Sequence, residues 1–173
     1  ILMQKNIGFI GLGKLGLPLA VCVAEAGHQV IGFDVNKILV KSLADGVFKS
    51  IEPGLNEILL ANRENLSFAS NLQELREVDI AYIILPTPSN SEDYFDDYLI
   101  SEAVSSILEV WGELEDDRTI VIVSTVMPGS SHALYEKYIS GRTNAKKINF
   151  IYSPEFIALG SVIHNLKNPD SIL

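Results

Sequence analysis

A doubly wound α/β fold, a mainly parallel six-stranded sheet with helices on both faces, is predicted by three features of this 173-residue chain. Short apolar runs alternate with segments of helical periodicity along its length. Two runs, IAYIIL at 80–85 and TIVIV at 119–123, are continuously apolar, as in strands covered on both faces. The first run stops in a glycine-rich turn that opens onto a helix.

Taken in order, residues 6–11 read as a buried strand that stops at glycine. Residues 14–26 read as a helix with Leu15, Leu19 and Val23 on one face, ended by Gly27. A second strand covers 29–34, and Asn36 can cap a helix running to about Ala44. Pro53 and Gly54 open a short helix at 55–61. A short strand follows at 66–69, and Asn71 caps a helix to about Arg76. After strand 80–85, residues 98–114 read as a helix with Ile100, Val104, Ile107, Leu108 and Trp111 at helical spacing. Strand 119–123 leads to a helix opened by Pro128 and reaching about Ile139, and 148–152 is the last strand. The stretch 89–97 is acidic and loop-like, and 141–147 is a second surface loop.

Composition narrows the function. The formal net charge of −9 argues against nucleic acid, whose binding rests on many Lys and Arg contacts to phosphate, and against an anionic membrane surface. No apolar run approaches a membrane span, and the N-terminus lacks the features of a signal peptide. Ile1 and Leu2 precede Met3, and the natural start is expected near Met3. One cysteine, Cys22, rules out an internal disulfide and fits a reducing, cytoplasmic compartment.

The glycine turn is G-L-G-K-L-G, residues 11–16. It follows a strand, opens a helix, and is followed by Asp34 at the end of the next strand. That context is the dinucleotide fingerprint of a Rossmann-type fold. Gly11 permits the tight turn, Gly13 lets a diphosphate approach the main chain, and Gly16 lets helix and strand pack closely. The helix N-terminus offers free N–H groups and a partial positive charge, so an acidic protein can hold an anionic cofactor. Asp34 can accept hydrogen bonds from the adenosine ribose and would repel a 2′-phosphate, which favours NAD over NADP. The alternative is a turn that serves packing alone, with Asp34 as a helix cap.

Ligands of an open parallel sheet sit beyond the carboxyl ends of its strands. There the chain places Thr87 after the strand at 80–85, Ser124 and Thr125 after 119–123, and Glu155 after 148–152. Singly, each threonine has local capping as its alternative, and Glu155 a solvated carboxylate. The candidate cofactor-binding residues are therefore Gly11, Leu12, Gly13, Lys14, Leu15, Gly16, Asp34, Thr87 and Thr125. Glu155 stands with them at the same edge.

GLGKLGLPLA, GHQVIGFD, EPGL at 52–55, LPTP, STVMPG and SPEF, in that order, resemble the NAD-binding domain of the UDP-glucose/GDP-mannose dehydrogenases. The resemblance runs from about residue 6 to the end, with one cofactor-binding domain over 3–173. It implies oxidation of a sugar nucleotide's primary alcohol to a carboxylate with two NAD, through an aldehyde and a cysteine thioester. It implies that Thr125 helps place a water or the substrate hydroxyl, that Glu155 assists thioester hydrolysis, and that Thr87 lines the NAD site. The family's nucleophilic cysteine, a lysine, an asparagine and a substrate domain would lie beyond residue 173. So would the helix that commonly builds its homodimer. On this reading the chain binds NAD and does not turn over alone.

Some positions depart from the family. The UDP-glucose type usually carries an Arg and a second acid after SPEF, where this chain has Ala158 and Leu159. A basic residue common five positions after the ribose aspartate is Leu39 here, with Lys37 and Lys41 nearby. Lys14 replaces an aromatic, either to pair with a phosphate or to extend into water. Cys22 reads as core packing with no basic partner near it. His28 reads as exposed, and His132 and His164 as isolated, with no metal cluster expected. The acidic runs read as solvated surface and Trp111 as packing onto the sheet. Two other functions fit the glycine loop: a beta-hydroxyacid dehydrogenase cofactor domain, against which SPEF and EPGL speak, and a non-catalytic NAD-sensing module.

Overall fold

The computed structural model describes residues 3–88, 96–155 and 158–169. The first half comprises β1 (Asn6–Ile10), α1 (Gly16–Glu25), β2 (Gln29–Phe33), α2 (Lys37–Ala44), α3 (Leu55–Ala61) and β3 (Leu66–Ala69). The second comprises β4 (Ile80–Ile83), α4 (Tyr98–Trp111), β5 (Arg118–Ile122), α5 (Ser130–Tyr138), β6 (Ile148–Tyr152) and α6 (Val162–Lys167). The strands form one sheet in the order β3-β2-β1-β4-β5-β6. Every adjacent pair is parallel, with Gly8 opposite both Ile31 and Ala81. The doubly wound prediction holds, and the strand order reverses between β1 and β4.

Side-chain alternation along the strands splits the core in two. Ile7 and Phe9 point to a layer with Leu17, Ala20, Val21, Leu43, Leu55 and Ile163, which packs α1, α2, α3 and α6 onto one face. Ile10, Ala81, Ile83, Ile120 and Ile122 point to the other, beneath Ile100, Val104, Ile107, Trp111 and Leu134 of α4 and α5. Trp111 is buried as expected, and its indole N–H donates to the Leu75 carbonyl at 3.3 Å. Phe9 and Tyr82 stack on the first face with centroids 5.0 Å apart.

Several boundaries differ from expectation for local reasons. The first helix starts at Gly16, because residues 13–15 are spent on the turn that precedes it. Its buried face is Leu17, Ala20, Val21 and Ala24, while Leu15, Leu19 and Val23 are half-buried. The helix at Asn71 is a single 3-10 turn, Leu72–Leu75. It is held by a reciprocal capping box with Glu74, whose carboxyl is lowered by hydrogen bonds from Ser70 and Asn71. Helix α4 stops at Trp111 because Gly112 turns at φ +59°, and α5 begins after Gly129, at φ +92°, rather than at Pro128. Most of the 89–97 loop lies outside the described residues.

Helix α6 was not foreseen. It has six residues, and tertiary contacts hold it: Val162 and Ile163 are buried, and Lys167 pairs with Glu25 of α1 at 2.6 Å. The same lysine corrects the reading of Cys22, which is half-buried and does have a basic neighbour. Burial still pushes the thiol up, outweighing the pull of Lys167, so Cys22 remains a poor nucleophile. His28 is half-buried rather than exposed, and its Nδ1 accepts from the Lys5 amide at 3.2 Å.

Helix α2 offers a test of local stability. Asn36 Oδ1 accepts from the Ile38 and Leu39 amides at 3.2 and 3.1 Å. Asn36→Ala is expected to cost about 1 kcal/mol, read as a denaturation midpoint shift at unchanged slope.

Candidate cofactor site

The loop between β1 and α1 is built by three glycines with three different causes. Gly11 has φ +101°, and a Cβ there would overlap the Ile84 carbonyl, 3.0 Å from its carbon. Its amide donates to the Phe33 carbonyl at 2.8 Å, tying the end of β1 to β2. A Cβ on Gly16 would overlap the Gly11 carbonyl, again 3.0 Å from its carbon, so the start of α1 lies directly against the turn. Gly13 differs: it is exposed, its φ lies outside the left-handed region, and a Cβ would meet nothing within 4 Å. The fold requires glycine at 11 and 16 but not at 13.

Leu12 is buried, Leu15 is half-buried, and Lys14 projects into solvent. Among the described residues none caps Leu15 by its side chain, and the first turn of α1 holds no acid. The Leu17 amide is taken by the Gly13 carbonyl at 3.1 Å and Pro18 has none, so the amides of the turn and of Gly16, with the positive end of this ten-residue helix, are what the loop offers to an anion.

Asp34 is bound to the loop itself. Its Oδ2 accepts from the Leu12 amide and its Oδ1 from the Asn36 amide, each at 2.8 Å. Asn36, not Asp34, caps α2; the Asp34 carboxylate instead ties the glycine turn to the residue that caps the helix. Each oxygen keeps a second lone pair, so ribose hydroxyls can still be accepted.

The ends of β4, β5 and β6 are joined on the same edge. The Val123 amide donates to Ile83, and the Ser153 amide to Ile122, extending the ladder past the strands. Ser124, which is buried, accepts from the Leu85 amide at 2.8 Å through its hydroxyl. This clamp was missed as a site residue; a hydroxyl amid the apolar run VIVS was its signal. Thr87 is half-buried, Thr125 and Glu155 are exposed, and all three follow these strand ends. Neither threonine caps a helix, since α4 opens at Asp97 and α5 at Gly129. Glu155 comes near Tyr82 of β4: burial raises that phenol, and the Glu155 carboxylate adds to the shift.

Glu52, quoted above only as part of EPGL, has a specific task. Its Oε2 accepts from the Gly160 amide at 3.0 Å, and its Oε1 from Val162 and Ile163 at 2.6 and 3.4 Å. Beside it, a cavity of about 310 Å3 runs under the glycine loop, between Gly13, Lys14, Leu39, Glu52 and Leu159. Among the described residues no group of three His, Cys, Asp or Glu side chains could hold a metal. No helix among them is long and apolar enough to cross a membrane.

Residues 5–173 match the family model described as the UDP-glucose/GDP-mannose dehydrogenase family, NAD binding domain. The chain belongs to that family. As its NAD-binding domain the chain takes NAD, and the glycine turn, open at Gly13, fits a dinucleotide. It is 29% identical over 172 residues to the UDP-glucose 6-dehydrogenase AglM of Haloferax volcanii, covering 97% of this chain and 40% of that protein. It is 32% identical to a UDP-N-acetyl-D-mannosamine dehydrogenase of Methanococcus maripaludis, covering 98% of this chain and 38% of that protein. The structure of a UDP-glucose dehydrogenase from Pyrobaculum islandicum superposes with a TM-score of 0.85 at 29% identity, over 98% of this chain and 40% of that one. The NAD-binding domain thus spans about two fifths of the relatives it matches. The family match favours the nucleotide-sugar dehydrogenase reading over the beta-hydroxyacid one.

Proposed function

We propose that this domain serves an enzyme that oxidises the primary alcohol of a nucleotide sugar to a carboxylate with two NAD, acting as a homodimer in the cytoplasm. Residues 3–173 are read as its one cofactor-binding unit. The observation that carries the cofactor part is the division of labour among the glycines: 11 and 16 answer to the fold, while 13 is bare where only a ligand needs room. Bound NAD supplies a hydride acceptor. The chain's own residues do the rest. The amides at the start of α1 neutralise the diphosphate, and Leu12 and Leu15 wall the turn that presents them. Lys14, exposed beside Gly13, adds a positive charge near the same anion.

Asp34, already oriented by two amides, accepts the ribose hydroxyls and repels a 2′-phosphate. Thr87 lines the cofactor's path at the switch point between β1 and β4. Thr125 orients a water or the substrate hydroxyl, and Glu155 acts as base or orienting group for hydrolysis. The relatives named above act on different nucleotide sugars, so the substrate class rather than one sugar is proposed. The acid-free Ala158 and Leu159 weigh against assuming UDP-glucose.

Calorimetry tests the cofactor assignment. NAD is expected to bind at least about tenfold tighter than NADP, because juxtaposed like charges cost several kcal/mol. Equal affinities would remove Asp34 from this role.

A further inference from the structure

Strand β6 lies at one edge of the sheet, and α6, which follows it, packs on α1 at the centre. In the segment just before α6, Leu159, exposed, and Gly160, at φ +88°, wall the cavity opposite Gly13 and Lys14. Gly160 lies five positions after Glu155. What holds this segment is Glu52, whose two carboxylate oxygens take the three amides of Gly160, Val162 and Ile163.

The platform under Glu52 is itself rigid. The Glu52 amide donates to Ser50 Oγ at 3.0 Å, and Ser50 exchanges two main-chain hydrogen bonds with the Asn56 side chain, each 2.9 Å. Gly54 turns at φ +80°, letting α3 start beneath Ile163, whose Cγ2 would lie 3.9 Å from a Cβ there. Glu52 therefore acts as a fixed pin rather than a mobile surface acid. Its grip sits on the segment that shares a cavity wall with the glycine loop.

We propose that Glu52 is a positioning residue for the cofactor site: it seats the 158–163 segment against the glycine loop and so slows release of the bound dinucleotide. The inference rests on the reading that the diphosphate lies at Gly11–Gly16. Glutamine cannot replace the pin. Its amide nitrogen would turn a donor toward an N–H donor, at either Gly160 or Val162, and its charge is gone.

The test is NADH release from the purified chain, followed by stopped-flow fluorescence. Glu52→Gln is expected to release NADH about tenfold faster, the loss of one charge-assisted hydrogen bond, with faster amide exchange at Gly160. Glu52→Asp, charged but one methylene shorter, falls between. Gly160→Ala, disfavoured at its positive φ but meeting nothing within 4 Å, displaces the same amide from the other side and also speeds release. Lys167→Ala breaks the ion pair at the opposite end of α6 and leaves release within about twofold, as for exposed pairs. Wild-type release rates in folded Glu52→Gln and Gly160→Ala would overturn the proposal. So would equal acceleration by Lys167→Ala, which would make the effect one of α6 docking. Wild-type protein that binds no NADH would instead sink the cofactor-site reading beneath it.

Discussion

Gly13→Val leaves the protein folded with an unchanged Tm and weakens NAD binding about a hundredfold, close to 2.7 kcal/mol. The two halves of that result have separate causes. Stability is spared because the position is exposed, its φ suits an L-residue, and a Cβ would meet no protein atom within 4 Å. Binding suffers because a branched side chain stands where the diphosphate must reach main-chain amides, and it removes their access rather than their dipoles. Calorimetry beside thermal melting checks both. A folded variant with wild-type affinity would mean that the diphosphate sits elsewhere.

Gly16→Ala, three residues along, is expected to behave in the opposite manner. The added methyl would overlap the Gly11 carbonyl oxygen, which is held in place by the hydrogen bond that the Gly11 amide donates to the Phe33 carbonyl. Backbone against backbone has no rotamer through which to relax. The cost is expected near the upper end for overpacking, about 3 kcal/mol. For a chain of this size that lowers Tm by about 10 °C. NAD affinity of the folded fraction falls as well, since α1 is displaced from the turn. A variant that melts at the wild-type temperature would show that helix and strand are not locked at this point.

The contrast between 13 and 16 marks how far local pattern reaches. That glycines occupy 11, 13 and 16 between a strand and a helix was legible in the spacing, and so was an acid ending the next strand. Which glycine serves the fold and which serves the ligand was not, because it depends on Ile84, the residue just after β4, brought alongside by the pairing of β1 with β4. Strands such as 66–69 and 148–152 were legible to the residue, being short apolar runs between turn signals. Helix α6 was not, since six residues carry too little periodicity and its cap comes from far back in the chain. The partner of Ser124 was invisible for the same reason, although the hydroxyl itself stood out in an apolar run.

By itself, then, the order of residues determined the alternation of strands and helices, the glycine turn, and the acid that follows it. These follow from side-chain period and from the absence of a Cβ, which act within a few neighbours along the chain. Tertiary structure alone decided the strand order, with its reversal between β1 and β4. It also decided the bond from Asp34 to an amide 22 residues earlier and the grip of Glu52 on amides more than a hundred residues later. Such contacts depend on which strands lie side by side, and that choice is made by burying two apolar faces of the whole sheet at once.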